Sequence, residues 1–342
     1  MPRVVAALDR LGPSASAREV TAAVGRAART AGWSCDEAPV AHGGVGILDA
    51  LGGVVRRTRA RGPLNDATTA EWRMAGSTAV VEIAQVAGLD LVGGRDWNDP
   101  MRASTAGVAD LIAAAEGAGA TRIVVGVGGS ATTDGGLGCV RALGPRGLRG
   151  VEVLVACDVT TTFVQAAEQF ASQKGATPSQ VALLARRLER LAQLYEEEHG
   201  VDVRELPGSG AAGGLAGGLA ALGAKLVPGF ELVADSIDLA RRIGGADLTV
   251  TGECFLDEYS FEGGAVGGVV ELCREAGVPA LTVVVEAYAE QTVPVIDLAE
   301  RFGRERALAA TVECVEEAMV DHLAGMARLG PTTPSASSAD DR

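Results

Sequence analysis

Between Arg122 and Gly138 a short run of β-branched residues opens into a loop that holds five glycines, the hydroxyls of Ser130, Thr132 and Thr133, and one carboxylate, Asp134. Glycine admits positive φ and close backbone approach, so successive N–H groups in such a loop can converge on one anion. The hydroxyls add donors, and the carboxylate can hold a cation or accept a proton. An ordinary strand-to-helix turn needs only two or three such residues, so the composition favours a phosphate or carboxylate site. Three further acid-bearing loops follow apolar runs: Asp9 to Ser16, Ala156 to Thr160 around Asp158, and Thr251 to Glu253 with Asp257 close behind. Taken singly, an Asp after a strand is a cap or turn residue. Four such loops together are what a Mg²⁺-nucleotide site beyond the carboxyl ends of parallel strands would draw on.

Motifs exclude several nucleotide-binding solutions. No GxxxxGK(S/T) occurs, and neither does HRD or DFG, so the chain is neither a P-loop NTPase nor a protein kinase. Gly126 to Ala131 matches GxGxxA, but no acid follows at the ribose distance. A nicotinamide-dependent enzyme is therefore the weakest alternative.

The elements that must position these loops read as α/β. The 342 residues suggest two domains, and the net charge of −14 argues against nucleic-acid or anionic-membrane partners. The one basic cluster, Arg56, Arg57, Arg59 and Arg61, reads as a solvated face. Six cysteines show no metal-like spacing, which fits a reduced, cytoplasmic protein. Strands are expected at Val4–Leu8, Thr78–Ile83, Arg122–Val127, Val151–Cys157, Asp247–Thr251 and Pro279–Val285, with a hairpin before Thr78 around Gly62 to Asn65. The first of these is read as a strand rather than a signal peptide. Helices are expected at Ser16–Ala31, with a Ser16/Glu19 capping box, from Ile47, over Asp99–Gly117, and from Thr177 to Gly200. The uncharged stretch Leu206–Ala224 is rich in Gly and Ala, and its GxxxG spacings point to close packing or backbone approach to a ligand rather than a membrane span. Residues 330–342 have the composition of a disordered tail.

The string GGSATTDGG, from Gly128 to Gly136, resembles the glycerate kinase family. So do Gln173 to Ala176, Gly208 to Gly214, Cys157 to Thr160, and Thr251 to Glu253 with Leu256 and Asp257, in the same order. The resemblance runs to about Val285. It implies a two-lobed α/β fold, a Rossmann-like lobe and a second α/β lobe, with ATP, Mg²⁺ and glycerate in the cleft between them. The expected division is 1–65 with 235–329 for the Rossmann-like lobe and 66–234 for the inserted one. By resemblance, Asp134 and Asp158 hold Mg²⁺ or orient the reacting groups, and Asp9 is the base for the substrate hydroxyl. Gly128, Gly129, Ser130, Thr132, Gly135, Gly136, Gly210, Gly213 and Gly214 cradle phosphates, with Lys174 supplying charge and Glu253 and Asp257 at the nucleotide. Ser14, Gly43 and Gly44 face the acid, and a homodimer is allowed.

The departures from the family's strings are specific. DSFKGS becomes Asp9 to Ser14 with Gly12 at the lysine, and ADGGEG becomes Ala41 to Gly46 with His42 and Val45 at the two acids. GEGRLDxQTLxGK loses its arginine, glutamine and lysine between Gly252 and Gly264, and only Lys174 and Lys225 remain in the whole chain. Two readings follow: a kinase of altered efficiency or substrate, and a catalytically impaired paralogue that binds a ligand or regulates. Arg10 is the candidate replacement for the missing lysine, and His42 is an anion binder when charged or a base when neutral.

Overall fold

A computed structural model describes residues 1–12, 14–261, 264–288 and 293–329. Its strands are, in chain order, β1 (Arg3–Leu8), β2 (Ser34–Glu37), β3 (Val54–Arg61), β4 (Ala67–Ala75), β5 (Thr78–Glu82), β6 (Arg122–Gly126), β7 (Glu152–Cys157), β8 (Lys225–Pro228), β9 (Leu248–Leu256), β10 (Ala280–Ala287) and β11 (Val295–Asp297). One sheet runs β11-β10-β9-β1-β2 with all neighbours parallel. The other runs β3-β4-β5-β6-β7-β8, antiparallel up to β5 and parallel beyond it. The chain is thus a two-lobed α/β protein.

β1 lies between β9 and β2 and is buried on both faces, which is why Val4 to Leu8 is continuously apolar rather than alternating. Val4, Ala6 and Leu8 join a core with residues of the helices Ala17–Thr30 and Thr311–Leu329, while Val5 and Ala7 join another with the helix Ala265–Ala276. The first helix starts at the predicted capping box: the Glu19 N–H donates to Ser16 Oγ (3.3 Å) and the Ser16 N–H donates to the Glu19 carboxylate (3.0 Å). Thr177 and Gln180 repeat the device at the start of Pro178–His199, and Gly200 ends that helix in the left-handed conformation.

Elsewhere local chemistry shifts the predicted bounds. The helix expected from Asp99 begins only at Ala106. Pro100 disfavours helical geometry at Asp99, whose carboxylate instead accepts from the Met101 N–H at 3.1 Å. The strand expected to stop at Thr251 continues to Leu256, because β10 pairs with it out to Ala287. Short β2, β8 and β11 hold too few residues for a periodic signal. Within Leu206–Ala224, the turn Ala211–Gly214 and the helix Leu215–Ala221 are wholly buried, and no helix among the described residues is long and apolar enough to cross a membrane.

The first sheet draws on residues 3–37 and 248–297 and the second on 54–228. β3, which precedes the expected division at residue 65, is therefore part of the six-stranded sheet. Residues 330–342 lie outside the described residues.

Candidate active site

The register of the two sheets decides which acids meet. Leu8 pairs with Gly252 and the Asp9 N–H donates to the Gly252 carbonyl (3.0 Å), so Asp9 and Glu253 leave that level as neighbours. In the other sheet Glu82, Gly126 and Ala156 are level, which sets the glycine-rich loop beside Asp158. The turn 41–46 joins the two. His42 Nδ1 lies 2.6 Å from Asp9 Oδ2, and Nε2 lies 3.5 Å from Asp158 Oδ2. Glu82, buried at the end of β5, accepts from the N–H groups of Gly46 (2.8 Å) and Leu48 (3.1 Å). Gly43, at φ +104, lies against Gly229 and the Ala156 carbonyl, and a Cβ on Gly128 would come within 2.6 Å of Gly44 Cα. Only glycines let these turns touch.

This cluster combines one cation with three carboxylates. The hydrogen bond to Asp9, helped by the charges of Asp9, Asp158 and Glu253, lifts His42 to about 9 against the opposing effect of burial. The imidazole is therefore protonated at neutral pH. Burial raises both Asp158 and Glu253 above the ordinary carboxylate range. Their accessibility differs: the Asp9 side chain is 3% exposed and that of Asp158 29%. Asp9 also accepts from the Arg10 N–H (2.6 Å), so both its oxygens are engaged.

The loop itself is wired from within. Lys174 is buried and donates to Ser130 Oγ (2.8 Å) and the Thr132 carbonyl (2.6 Å); burial pushes it down to about 7. Asn98 Nδ2 donates to the carbonyls of Ala131 (2.9 Å) and Lys174 (2.8 Å). The Leu89 N–H donates to the Gly129 carbonyl. Asp134 Oδ2 accepts from Thr105 N–H and Oγ1 (both 2.9 Å) and Gly138 N–H (3.1 Å), and Oδ1 accepts from Gly136 N–H (3.0 Å). Gly210, Gly213 and Gly214 pack on Thr161, on Thr132 and Thr133, and on Gly135. Several glycines of the expected cradle thus mediate backbone packing.

The remaining predicted residues are peripheral to His42 or turn-bound. Ser14 is exposed in the first loop, and Asp257 Oδ1 accepts from Ser260 N–H (3.1 Å) and Oγ (3.3 Å). Arg10 folds onto the Gly12 carbonyl (Nε 3.3 Å, Nη2 3.2 Å), and Gly12 holds φ +137, which a lysine rarely adopts. Among the described residues no three or more His, Cys, Asp or Glu form a metal centre. Mg²⁺ is usually held by one or two carboxylates plus phosphate oxygens. Asp158, partly exposed, and Glu253, whose buried Oε1 has no hydrogen-bond partner, fit that use. The four donors around Asp134 leave it poorly suited.

A cavity of about 240 Å³ adjoins this cluster, lined by Arg10, Gly46, Arg73 and Glu82 among others. Sequence reading missed Arg73 and Glu82. Arg73 Nη2 pairs with Glu71 (3.0 Å) and lies 3.8 Å from Asp49, and its buried Nε has no hydrogen-bond partner. A lone Arg on a hairpin strand carries no signal, whereas Glu82 ends an apolar strand.

The chain matches the model of the glycerate kinase family over residues 4–149 and 145–324. It is 33% identical to the glycerate 2-kinase of Escherichia coli K12 over 321 residues, covering 82% of this chain and 84% of that protein. It is 36% identical to a glycerate kinase of Halalkalibacterium halodurans, over 72% of this chain and 74% of that one, and 40% identical to an uncharacterized protein of Mycobacterium bovis, over 82% and 77%. A crystal structure of a protein provisionally named glycerate kinase 2, from Salmonella typhimurium LT2, superposes with a TM-score of 0.81 at 29% identity, covering 96% of this chain and 98% of that one. With the predicted acid-bearing loops at the carboxyl ends of parallel strands in both sheets, the chain belongs to the glycerate kinase family.

Proposed function

We propose that this protein transfers the γ-phosphoryl group of ATP to a hydroxyl of D-glycerate or a closely related small hydroxy acid. The observation that carries the reading is the Asp9–His42–Asp158 line beside the small cavity, where charged groups from both lobes converge. Arg10 and Arg73, which line that cavity, attract the acid's carboxylate. The substrate oxygen bonds to phosphorus as the bond to the leaving ADP oxygen breaks, and the hydroxyl proton passes to Asp158. The role expected of Asp9, that of base, moves to Asp158 in this reading because both Asp9 oxygens are engaged. Asp9 instead holds His42 charged and oriented. His42 contributes positive charge against the transferring phosphoryl group, and Lys174 holds the glycine loop through Ser130 and Thr132. Mg²⁺ held by Asp158 or Glu253 would neutralise phosphate charge.

Coupled ADP release with D-glycerate tests the reading. Asp158→Asn should lower kcat about 100-fold or more with intact folding; wild-type turnover in that variant removes Asp158 from the chemistry. A second reading, an impaired relative that binds without turning over, is favoured by Gly12, His42 and Val45 at the positions of a lysine and two acids. Calorimetric binding of Mg-ATP and glycerate without ADP release would select it.

A further inference from the structure

The helix Pro178–His199 and the segments 100–104 and 133–141 enclose a cavity of about 700 Å³, within the size range of pockets that hold organic ligands. None of Asp9, His42, Asp158, Lys174 or Glu253 lines it, so a molecule held there takes no part in phosphoryl transfer. Leu184, Leu188 and Leu191, on one face of the helix, are buried and form its floor, and Leu194 stands partly exposed in its wall. Around the opening are five exposed arginines, Arg102, Arg141, Arg186, Arg187 and Arg190, in a chain whose net charge is −14. Arg187 donates to the Met101 carbonyl and Arg190 to Gln193. Among the described residues none of the five makes an ion pair, whereas elsewhere Arg61 pairs with Asp110 and Arg242 with Asp36. The one carboxylate in the lining, Asp134, already accepts four hydrogen bonds from its own surroundings.

The two surfaces together select one kind of molecule. Guanidinium groups without a protein anion match an anionic head, and a floor of leucines matches an apolar body. An inorganic anion would leave the leucines wet, and a neutral apolar molecule would leave the guanidinium groups unused. A three-carbon hydroxy acid is too small and too polar for the space. We propose that this cavity is a second ligand site, separate from Asp9, His42 and Asp158, that takes a small amphipathic organic anion with its apolar body on the leucine floor and its head at the arginine rim. Thr133, Asp134 and Gly138 form part of the wall, so an occupant also braces the turn that ends the glycine loop.

Fluorescence titration of the full chain with 1-anilinonaphthalene-8-sulfonate, a probe that joins apolar rings to one anionic group, tests the assignment, with octanoate and octan-1-ol as competitors. The probe should bind saturably, and octanoate should displace it roughly tenfold more effectively than the uncharged alcohol of the same length. Octanoate should also slow amide exchange within 133–141 and 184–194. The double variant Arg141→Glu/Arg186→Glu should bind the probe roughly tenfold more weakly or worse, with the difference shrinking at high salt. Leu194→Trp, which fills the wall without changing charge, should weaken it too. Arg149→Glu, at an exposed arginine outside the lining, should bind as wild type and controls for overall charge. Unchanged unfolding midpoints verify the fold of each variant. Probe affinity equal to wild type in both the double variant and Leu194→Trp, or no saturable binding at all, overturns the proposal. So does displacement of the probe by Mg-ADP or glycerate, which would join the cavity to the phosphoryl-transfer site. No readout requires turnover, so this site stands or falls independently of the kinase reading.

Discussion

Asp9 and Glu253, carboxylates that leave neighbouring strands, meet very different surroundings. Asp9 has a partner for each oxygen, whereas Glu253 keeps a buried Oε1 without one. A buried, incompletely paired carboxylate destabilises the fold. Burial raises its pKa, so the folded state keeps the proton longer than the unfolded chain and stability falls as pH climbs through the ordinary carboxylate range towards the folded value. Glu253→Gln removes that charge with little change in shape. The variant should match wild type near pH 4.5 and have the higher urea midpoint at pH 8, while losing phosphoryl transfer if Glu253 helps hold Mg²⁺. An unchanged midpoint at pH 8 would mean that His42 already neutralises the buried charge. A raised midpoint, by contrast, marks the carboxylate as a site residue retained against stability, a common trade in active sites.

At the scale of elements, the Gly128–Gly138 loop behaves as a joint between helices. Asp134 ties Thr105, just ahead of the helix Ala106–Gly117, to Gly136 and Gly138 at the start of the helix Leu137–Leu143. Asp134→Ala leaves three backbone N–H groups and the Thr105 hydroxyl without that acceptor. The expected loss is roughly 3 kcal/mol or more in urea unfolding, with faster proteolysis in residues 128–138. Full stability in this variant would return Asp134 to the cation-holding role that its loop position suggested. The sequence carried the strand–glycine–acid pattern of this loop because turns demand local residue types. It carried nothing of Thr105, whose contact depends on how two helices pack. Glycines were ambiguous for the same reason: φ and close approach are needed both for an anion cradle and for Gly128 against Gly44. The capping box at Ser16 was legible because all its atoms lie within one helical turn. The pairing of His42 with both Asp9 and Asp158 was not, since it depends on the meeting of two sheets.

Across the whole molecule, the pKa values of two cations, the half-buried His42 and the buried Lys174, shift in opposite directions. His42 rises from 6.5 to about 9, so its contribution is complete below pH 6.5 and is lost as pH rises through 9. Lys174 falls from 10.5 to about 7, so over that interval the unfolded chain binds the extra proton and stability grows with pH. From pH 7 to 9 the two slopes oppose each other, and the wild-type stability profile should be flatter there than either group alone would make it. His42→Asn should unmask the rise due to Lys174, and Lys174→Met the fall due to His42. Lys174→Met also strands Ser130 and the Thr132 carbonyl, which lowers stability across the range without reversing the slope. Urea midpoints at fixed ionic strength from pH 6 to 10 read the slopes directly. Opposite signs in the two variants assign the titrations to these residues, whereas two profiles parallel to wild type would place them elsewhere. Because the stability slopes of the two groups oppose each other, the site keeps its loop and its His42 bridge in one fold across the neutral range while both groups lose charge as pH rises.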